Sequence, residues 1–380
     1  MPLPSHTIHS MEPITFFTAV EKDLRRVARL DPDRDWEEFA GGAERVWILQ
    51  TYLRLKAAGY PVQISSDIPA DGIVILHRQS ELEYFCQRFL RFPTTVTTNA
   101  DTGIHRWADA EIVQDPTKES PGKAYYIPFW PQPGLIPRDR SRGSAIRKVG
   151  FKGSPGRLDP AFTSDDWRQF LRSRMIQWDY DVRIQEVYGE LSNEVRWNDY
   201  SEVDLIIALD SFRYSSRVHK PPNKLVNAWL AGVPAILGPE PAFRTLRRGE
   251  LDYLEVESYE EAKRAVDFLR ANPERYQAMV KNGQERGAEF AVPRIVKRWG
   301  QVLFQEVPSV LDSWRSKLRR MVPLRLRRKI WNTFTPCGAA RKAAEDYKRW
   351  RAAQPLPRIA DVQPHAHIQT DESARCRARK

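Results

Sequence analysis

The sequence predicts an α/β protein built from two open, doubly wound halves in tandem, followed by a basic extension. Three observations predict it. Short apolar runs alternate with helical segments along most of the chain, the signature of parallel βαβ units. A Pro-rich stretch near the middle interrupts that alternation, which then restarts. All of the net positive charge lies beyond residue 311.

In chain order, Ile14 to Ala19 reads as a first strand, and Gly41-Gly42 opens a helix from Ala43 to Ala58. Its apolar positions Val46, Trp47, Leu49, Leu53 and Leu55 lie broadly on one face, and Gly59 stops it. Val62 to Ser65 and Ile73 to Leu76 read as strands, Glu81 to Phe89 as a helix, and Thr94 to Thr98 as a strand. Tyr125 to Arg142, with Pro128, Pro131, Pro133 and Pro137, reads as a crossing segment. The pattern then resumes with a strand at Lys148 to Phe151, a helix at Ser164 to Arg174 and a strand at Asp181 to Gln185. Val203 to Leu209 is a continuous apolar run of the kind buried on both faces. Asn223 to Ala231 reads as a helix, and Val233 to Leu237 and Tyr253 to Val256 as strands. Tyr259 to Ala271 and Pro273 to Asn282 read as surface helices, and Ala291 to Gln305 as a closing helix packed back across the halves. The expected division is residues 1–142, 143–306 and an extension, 307–380.

Composition narrows the partners. The formal charge is +11, yet Asp312 to Arg351 carries +10 and the remaining tail +2, which leaves the body at −1. A near-neutral body argues against a nucleic-acid partner. Cys86, Cys337 and Cys376 are far apart and form no CxxC pair, so neither a zinc site nor a disulfide framework is expected. Met1 to Glu12 has no basic and apolar leader pattern, and no run of about 18 apolar residues occurs; a cytoplasmic location is expected. Absence of a GxGxxG or Walker A run argues against dinucleotide oxidoreductases and P-loop enzymes.

The stretch His219 to Gly238 (HKPPNKLVNAWLAGVPAILG) combines a loop, a helix, a tight Gly turn and a strand. Pro221 and Pro222 stiffen the helix entry and Asn223 is placed to cap it. Free N–H groups at that helix start, with Lys220 and Lys224 beside them, suit a diphosphate. This stretch resembles the donor-binding segment of retaining GT-B glycosyltransferases of the group 1 type. Their pattern is an acidic residue, seven positions, a second acidic residue, and Ala-x-x-x-Gly-x-Pro before an apolar strand. The resemblance continues through Tyr253 to Val256, Ser258 to Ala262, Asn272-Pro273 and Met279 to Gly283. It implies two Rossmann-like domains, a nucleotide-sugar donor as substrate with no further cofactor, no metal ion, and a glycan, polysaccharide or lipid-linked acceptor. Where the family carries its two acidic residues, this chain is assigned Lys220 and Asn227. Lys220 cannot accept a hydrogen bond and is expected to meet phosphate, while Asn227 is expected at a ribose or sugar hydroxyl.

The same resemblance places Lys152, after the first strand of the second half, on the donor diphosphate; Arg157 in the same loop is a second cation that no motif marks. The resemblance places the Gly41-Gly42 loop near the phosphates, where glycine permits close backbone approach. His77 and Asn99 follow strands, Asp101 lies just beyond, and Asp210 follows the run Val203 to Leu209 with Arg213 and Arg217 after it. His77 and Asp101 are the candidate catalytic groups, and Asn99 and Asp210 the candidate acceptor contacts. Each has a plain alternative as a structural histidine, a turn-forming Asx residue or a solvated loop group.

Ser313 to Phe334 interleaves Trp314, Trp331 and Phe334 with eight cations. Contact with an anionic membrane at its inner face, packing on the body and a nucleic-acid patch are its three readings. The tail after Gln354 has no periodicity and is expected to be disordered. Besides an active transferase, a GT-B relative that binds without turnover and a basic nucleic-acid-binding protein remain as alternatives.

Overall fold

The computed structural model describes residues 13–39, 42–77, 80, 84, 93–99, 107–153, 157–181, 196–209, 220–311, 322 and 326. Two parallel sheets follow one another along the chain, each the centre of an open α/β half. The first sheet has the order β2-β1-β3-β4-β5-β6, with β1 Ile14–Phe17, β2 Val62–Ser65, β3 Ile73–His77, β4 Thr94–Thr98, β5 Ala110–Val113 and β6 Ala124–Tyr126. The second has the order β11-β10-β9-β7-β8, with β7 Lys148–Lys152, β8 Gln177–Asp181, β9 Leu205–Ala208, β10 Ala235–Leu237 and β11 Leu254–Glu255.

Burial explains which runs became central strands. β1, β3 and β9 are buried along their whole length, as strands covered on both faces must be. β4 is fully buried although four of its five residues are threonine. One of them, Thr95, shares a 2.9 Å hydrogen bond with the Tyr84 hydroxyl, and its N–H donates to Asp109. The neighbouring β5 and β6 were not expected as strands. β5 hides Glu111 in its middle, where the Asn99 amide donates to it at 2.7 Å. That partner makes the carboxylate tolerable inside an otherwise apolar sheet.

Three expectations are corrected. The strand placed at Asp181 to Gln185 is β8, Gln177–Asp181, four residues earlier. Its signal is period-two aromatics: Trp178 stacks on Tyr180 and meets Trp167 of the helix Asp165–Arg172 edge-on, while intervening polar residues break the apolar run. The crossing segment begins later than Tyr125, because β6 takes Ala124–Tyr126. The first long helix begins with a wide-turn stretch, Arg45–Leu49, before the regular α2, Gln50–Ala57. The expected helix Glu81 to Phe89 falls almost wholly outside the described residues, as do residues 182–185 and nearly all of the extension.

Among the described residues the remaining helices are α1 Leu24–Val27, α3 Asp165–Arg172, α4 Asn223–Ala231, α5 Pro241–Leu246, α6 Tyr259–Ala271, α7 Pro273–Gly287, α8 Val292–Gln301 and α9 Val307–Leu311. The closing helix does cross back. Ile295, Trp299, Val302, Leu303 and Val307 join the core of the first half beside Phe16, Trp47 and Tyr52. Gly300 lets α8 lie against Tyr60, since a Cβ there would overlap that ring.

Two clamps hold the crossing segment. Toward the first half, Arg54 pairs with Asp33 at 2.8 Å, Asp33 accepts from the Gly134 N–H, and Trp130 Nε1 donates to Thr51. Toward the second half the centre is Asp204, fully buried at the start of β9. Its Oδ1 accepts from Arg138 and Arg142, both at 2.8 Å, and its Oδ2 from the N–H groups of Arg147 and Lys148. Burial alone would raise its pKa, but those donors win and hold the carboxyl below its ordinary 3.8.

A second buried carboxylate titrates the other way. Glu44, at the head of the first long helix, accepts hydrogen bonds from the hydroxyls of Thr18 and Ser80. Burial is its dominant influence and lifts its pKa above the ordinary 4.5, against the opposing hydroxyls. Glu44 thereby ties the loop after β1 and the loop after β3 to the turn that begins at Gly42.

The two groups predict opposite pH slopes. Asp204 contributes stability that is present above its unfolded pKa and is lost as pH falls toward its lowered folded value. Asp204→Asn is expected to lower stability by about 3–5 kcal/mol at neutral pH, because it leaves buried cations uncompensated. Glu44 contributes stability that is fully present below its unfolded pKa and is lost as pH rises through the raised folded value. Denaturation midpoints across a pH series check both: the loss on raising pH should shrink in Glu44→Gln, and the loss on acidification should shrink in Asp204→Asn.

Candidate nucleotide-sugar cleft

Strands β7, β9 and β10 end on the same side of the second sheet, where open α/β proteins place their ligand crevice. A cavity of about 280 Å³ lies there, between the two halves. From the first half it is lined by Gly42, Val46 and Trp47, and from the crossing segment by Phe129 and Gln132. From the second half come Lys152, Arg157, Lys220, Lys224, Asn227 and Glu240, among others.

Local sequence explains each position. β7 ends at Lys152, whose buried Nζ lies 3.0 Å from Asp179 on the neighbouring strand. Gly153 follows because a Cβ there would press the Phe151 ring at 3.1 Å and the Lys224 Cε at 3.3 Å. The glycine thus lets the Lys224 stem pass close, with Nζ 5.8 Å from the Phe151 ring centre. Lys224 belongs to the first turn of α4, so the cation and the helix's unbonded N–H groups face the same region. Asn223 does not cap this helix. Pro222 occupies the cap position and no side chain bonds there, so Asn223 is the first helical residue. At the other end Gly232 adopts φ +70°, the left-handed stop, and Val233 turns directly into β10.

Of the expected donor residues, the structure brings Gly42, Lys152, Lys220, Asn223, Lys224 and Asn227 to this one cavity, and Arg157 with them. Gly41 lies outside the described residues. Asn227 is almost fully buried, and its Oδ1 accepts the Gln132 N–H at 3.0 Å, which ties it to the crossing segment. Seven residues separate Asn227 from His219 rather than from Lys220, so the first acidic place of the pattern falls on His219, outside the described residues.

His77 and Asn99 stand elsewhere. Both are buried at the ends of adjacent strands, with His77 paired to Thr98 and Asn99 bonded to Glu111. Neither lines the cavity. Asp101 and Asp210 lie outside the described residues, as do Arg213 and Arg217. Among the described residues no group of three or more His, Cys, Asp or Glu could hold a metal ion, and no helix is long and apolar enough to cross a membrane.

Sequence reading missed the aromatic wall. Trp47, Phe129, Trp197, Tyr200 and Phe243 all line the cavity, and Trp47 meets Phe129 edge-on at 5.3 Å. Only Trp197 and Tyr200 share a segment, and Trp47 and Phe243 lie inside helices, so no single spacing joins the five. Glu240, in the loop after β10, was also missed.

No family model matches the chain, and no curated protein matches it. Among solved structures it is similar to a sucrose-phosphate synthase from Thermosynechococcus elongatus, with 14% identity and a TM-score of 0.48 over 78% of this chain and 100% of that one. It is similar to Anabaena HepE in complex with UDP and glucose, with 13% identity and a TM-score of 0.46 over 77% of this chain and 99% of that one. It is also similar to TarM, with 8% identity and a TM-score of 0.45 over 63% of this chain. The chain spans about half of TarM's length, 55%. These are similarities of chain course, and the chemistry of the cleft rests on this chain's own residues.

Proposed function

We propose that the chain is a metal-independent glycosyltransferase that moves a sugar from a nucleotide-sugar donor to a glycan, polysaccharide or lipid-linked acceptor. The observation that carries this reading is the convergence of Lys152, Arg157, Lys220 and Lys224 with the start of α4 on one cavity at the strand ends. Four cations and a helix N-terminus suit a diphosphate, both as a bound group and as a departing one. Breaking the bond from sugar to diphosphate builds negative charge on the leaving oxygen. Fixed cations stabilise that charge more in the transition state than in the ground state, which is what accelerates transfer. The aromatic wall supplies flat apolar surface for a base or a sugar face.

The first half contributes the opposite side of the cleft. In this reading His77, which ends β3, and Asn99 and Asp101, which come after β4 in sequence, serve the acceptor, with Asp210 contributing from the second half. His77 and Asn99 reach an acceptor only if it extends beyond the cavity described above. The basic aromatic segment 313–334 holds the enzyme against an anionic membrane on its cytoplasmic face, near a lipid-linked acceptor. Co-sedimentation with phosphatidylglycerol vesicles, compared with neutral ones, checks that contact; equal binding by a chain truncated after residue 311 would remove it.

The donor site is tested by a thermal-shift screen against UDP, GDP, CMP and their sugars. One family of nucleotides is expected to raise the melting temperature. Lys220→Ala should then weaken that nucleotide by about tenfold or more, as loss of a charge-assisted contact implies, with acceptor binding nearly unchanged. Equal donor affinity in variant and parent would refute the site. Donor binding with no sugar released or transferred would favour a binding module that lacks turnover.

A further inference from the structure

Two irregularities fall on one residue of the second half. Among the described residues Met175 is the one non-glycine with a left-handed backbone, at φ +56°. It is also their most exposed large apolar side chain, at 88%. It sits in the turn between α3 and β8, where its N–H donates to the Arg172 carbonyl and the next N–H, of Ile176, donates to Leu171, both at 3.0 Å. Glycine is the usual residue at such a helix stop. Glycine there would remove both costs at once, the crowding of a Cβ at positive φ and the exposure of a thioether side chain to water.

The turn is held firmly from below, so that Met175 is presented at a fixed place. Arg174 pairs with Asp267 of α6 through bonds of 2.5 and 2.7 Å and lies over the Phe170 ring at 3.7 Å. Arg270 of the same helix donates to the Arg174 carbonyl at 3.3 Å. These ties bring the turn against the end of α6, where Phe268 is 45% exposed. Arg264 lies one helical turn before Phe268, on the same face. The corner thus sets Arg172, Arg174, Arg264 and Arg270 around two apolar side chains, against the carboxylates of Asp267 and Glu261. It is a positive corner on a body whose net charge is −1.

Shape and charge together select the partner. A peptide is seated in a groove or along a sheet edge, whereas the exposure of Met175 puts it on a convex corner. Protruding apolar tips ringed by guanidinium groups match an anionic lipid surface. The tips enter the headgroup boundary and the arginines meet lipid phosphates.

We infer that the corner formed by the α3–β8 turn and the end of α6 docks on an anionic lipid surface, with Met175 and Phe268 entering the headgroup layer. The contact is made by the second half itself, whatever the segment 313–334 does.

The test reads Met175 directly. Dilute hydrogen peroxide converts an exposed thioether to its sulfoxide, and peptide mass mapping follows each methionine separately. The full chain is oxidised alone, with phosphatidylcholine vesicles and with phosphatidylglycerol vesicles, and buried Met279 is the internal control. Phosphatidylglycerol alone is expected to slow oxidation of Met175 by about threefold or more, as covering most of its surface implies. Met175→Gly combined with Phe268→Ser should weaken sedimentation with those vesicles; the glycine suits the backbone of the turn, so the fold is kept. Unchanged oxidation of Met175 in chain that has sedimented with phosphatidylglycerol would overturn this contact and leave that of 313–334 standing. Protection that grows with protein concentration in the absence of vesicles would overturn it in favour of a second copy of the chain. Failure of the full chain to sediment with phosphatidylglycerol would overturn both membrane contacts together.

Discussion

The molecule depends on one buried carboxylate. Asp204 collects two arginines from the crossing segment and two backbone N–H groups from the approach to β7, while the Tyr276 hydroxyl of α7 donates to its carbonyl at 2.7 Å. One residue therefore fixes where the crossing segment ends, where β7 and β9 begin and where α7 packs. Because it sits at the start of β9, opposite the strand ends, it sets the register of the crevice from behind. The cations that line the cleft owe their convergence to that register as much as to their own sequence.

Legibility varied with the source of the signal. Both sheets could be read where strands were continuous apolar runs, as in Val203 to Leu209, or where a helix and strand met through Gly232. Strands stabilised by partners distant in sequence were not readable. Glu111 makes β5 look unfit for a sheet until Asn99 is found beside it. β8 presents its apolar residues at period two amid acidic ones, so its packing against Trp167 appears only in three dimensions.

The cationic side of the cleft was largely legible because its pieces lie in two short stretches, around Lys152 and from Lys220 to Asn227. The tie between Asn227 and the crossing segment was not: Asn227 lines the cavity, and its oxygen also accepts the Gln132 N–H from 95 residues away. The same holds for the aromatic wall, whose members are spread along the chain. A site shared by two halves is legible in sequence only within each half, and Glu240 and Trp197 needed the assembled cleft to be seen.

The return of α8 and α9 has a consequence for how the chain is made. Ile295, Trp299, Val302, Leu303 and Val307 complete the core of the first half, yet they are synthesised after the whole second half. A ribosome releasing this chain therefore exposes an unfinished apolar face around Phe16, Trp47 and Tyr52 until those residues emerge. The second half, whose core draws on residues 146–290, has its own apolar set in place before then. The core of the half that is translated first is thus completed by residues that are translated last.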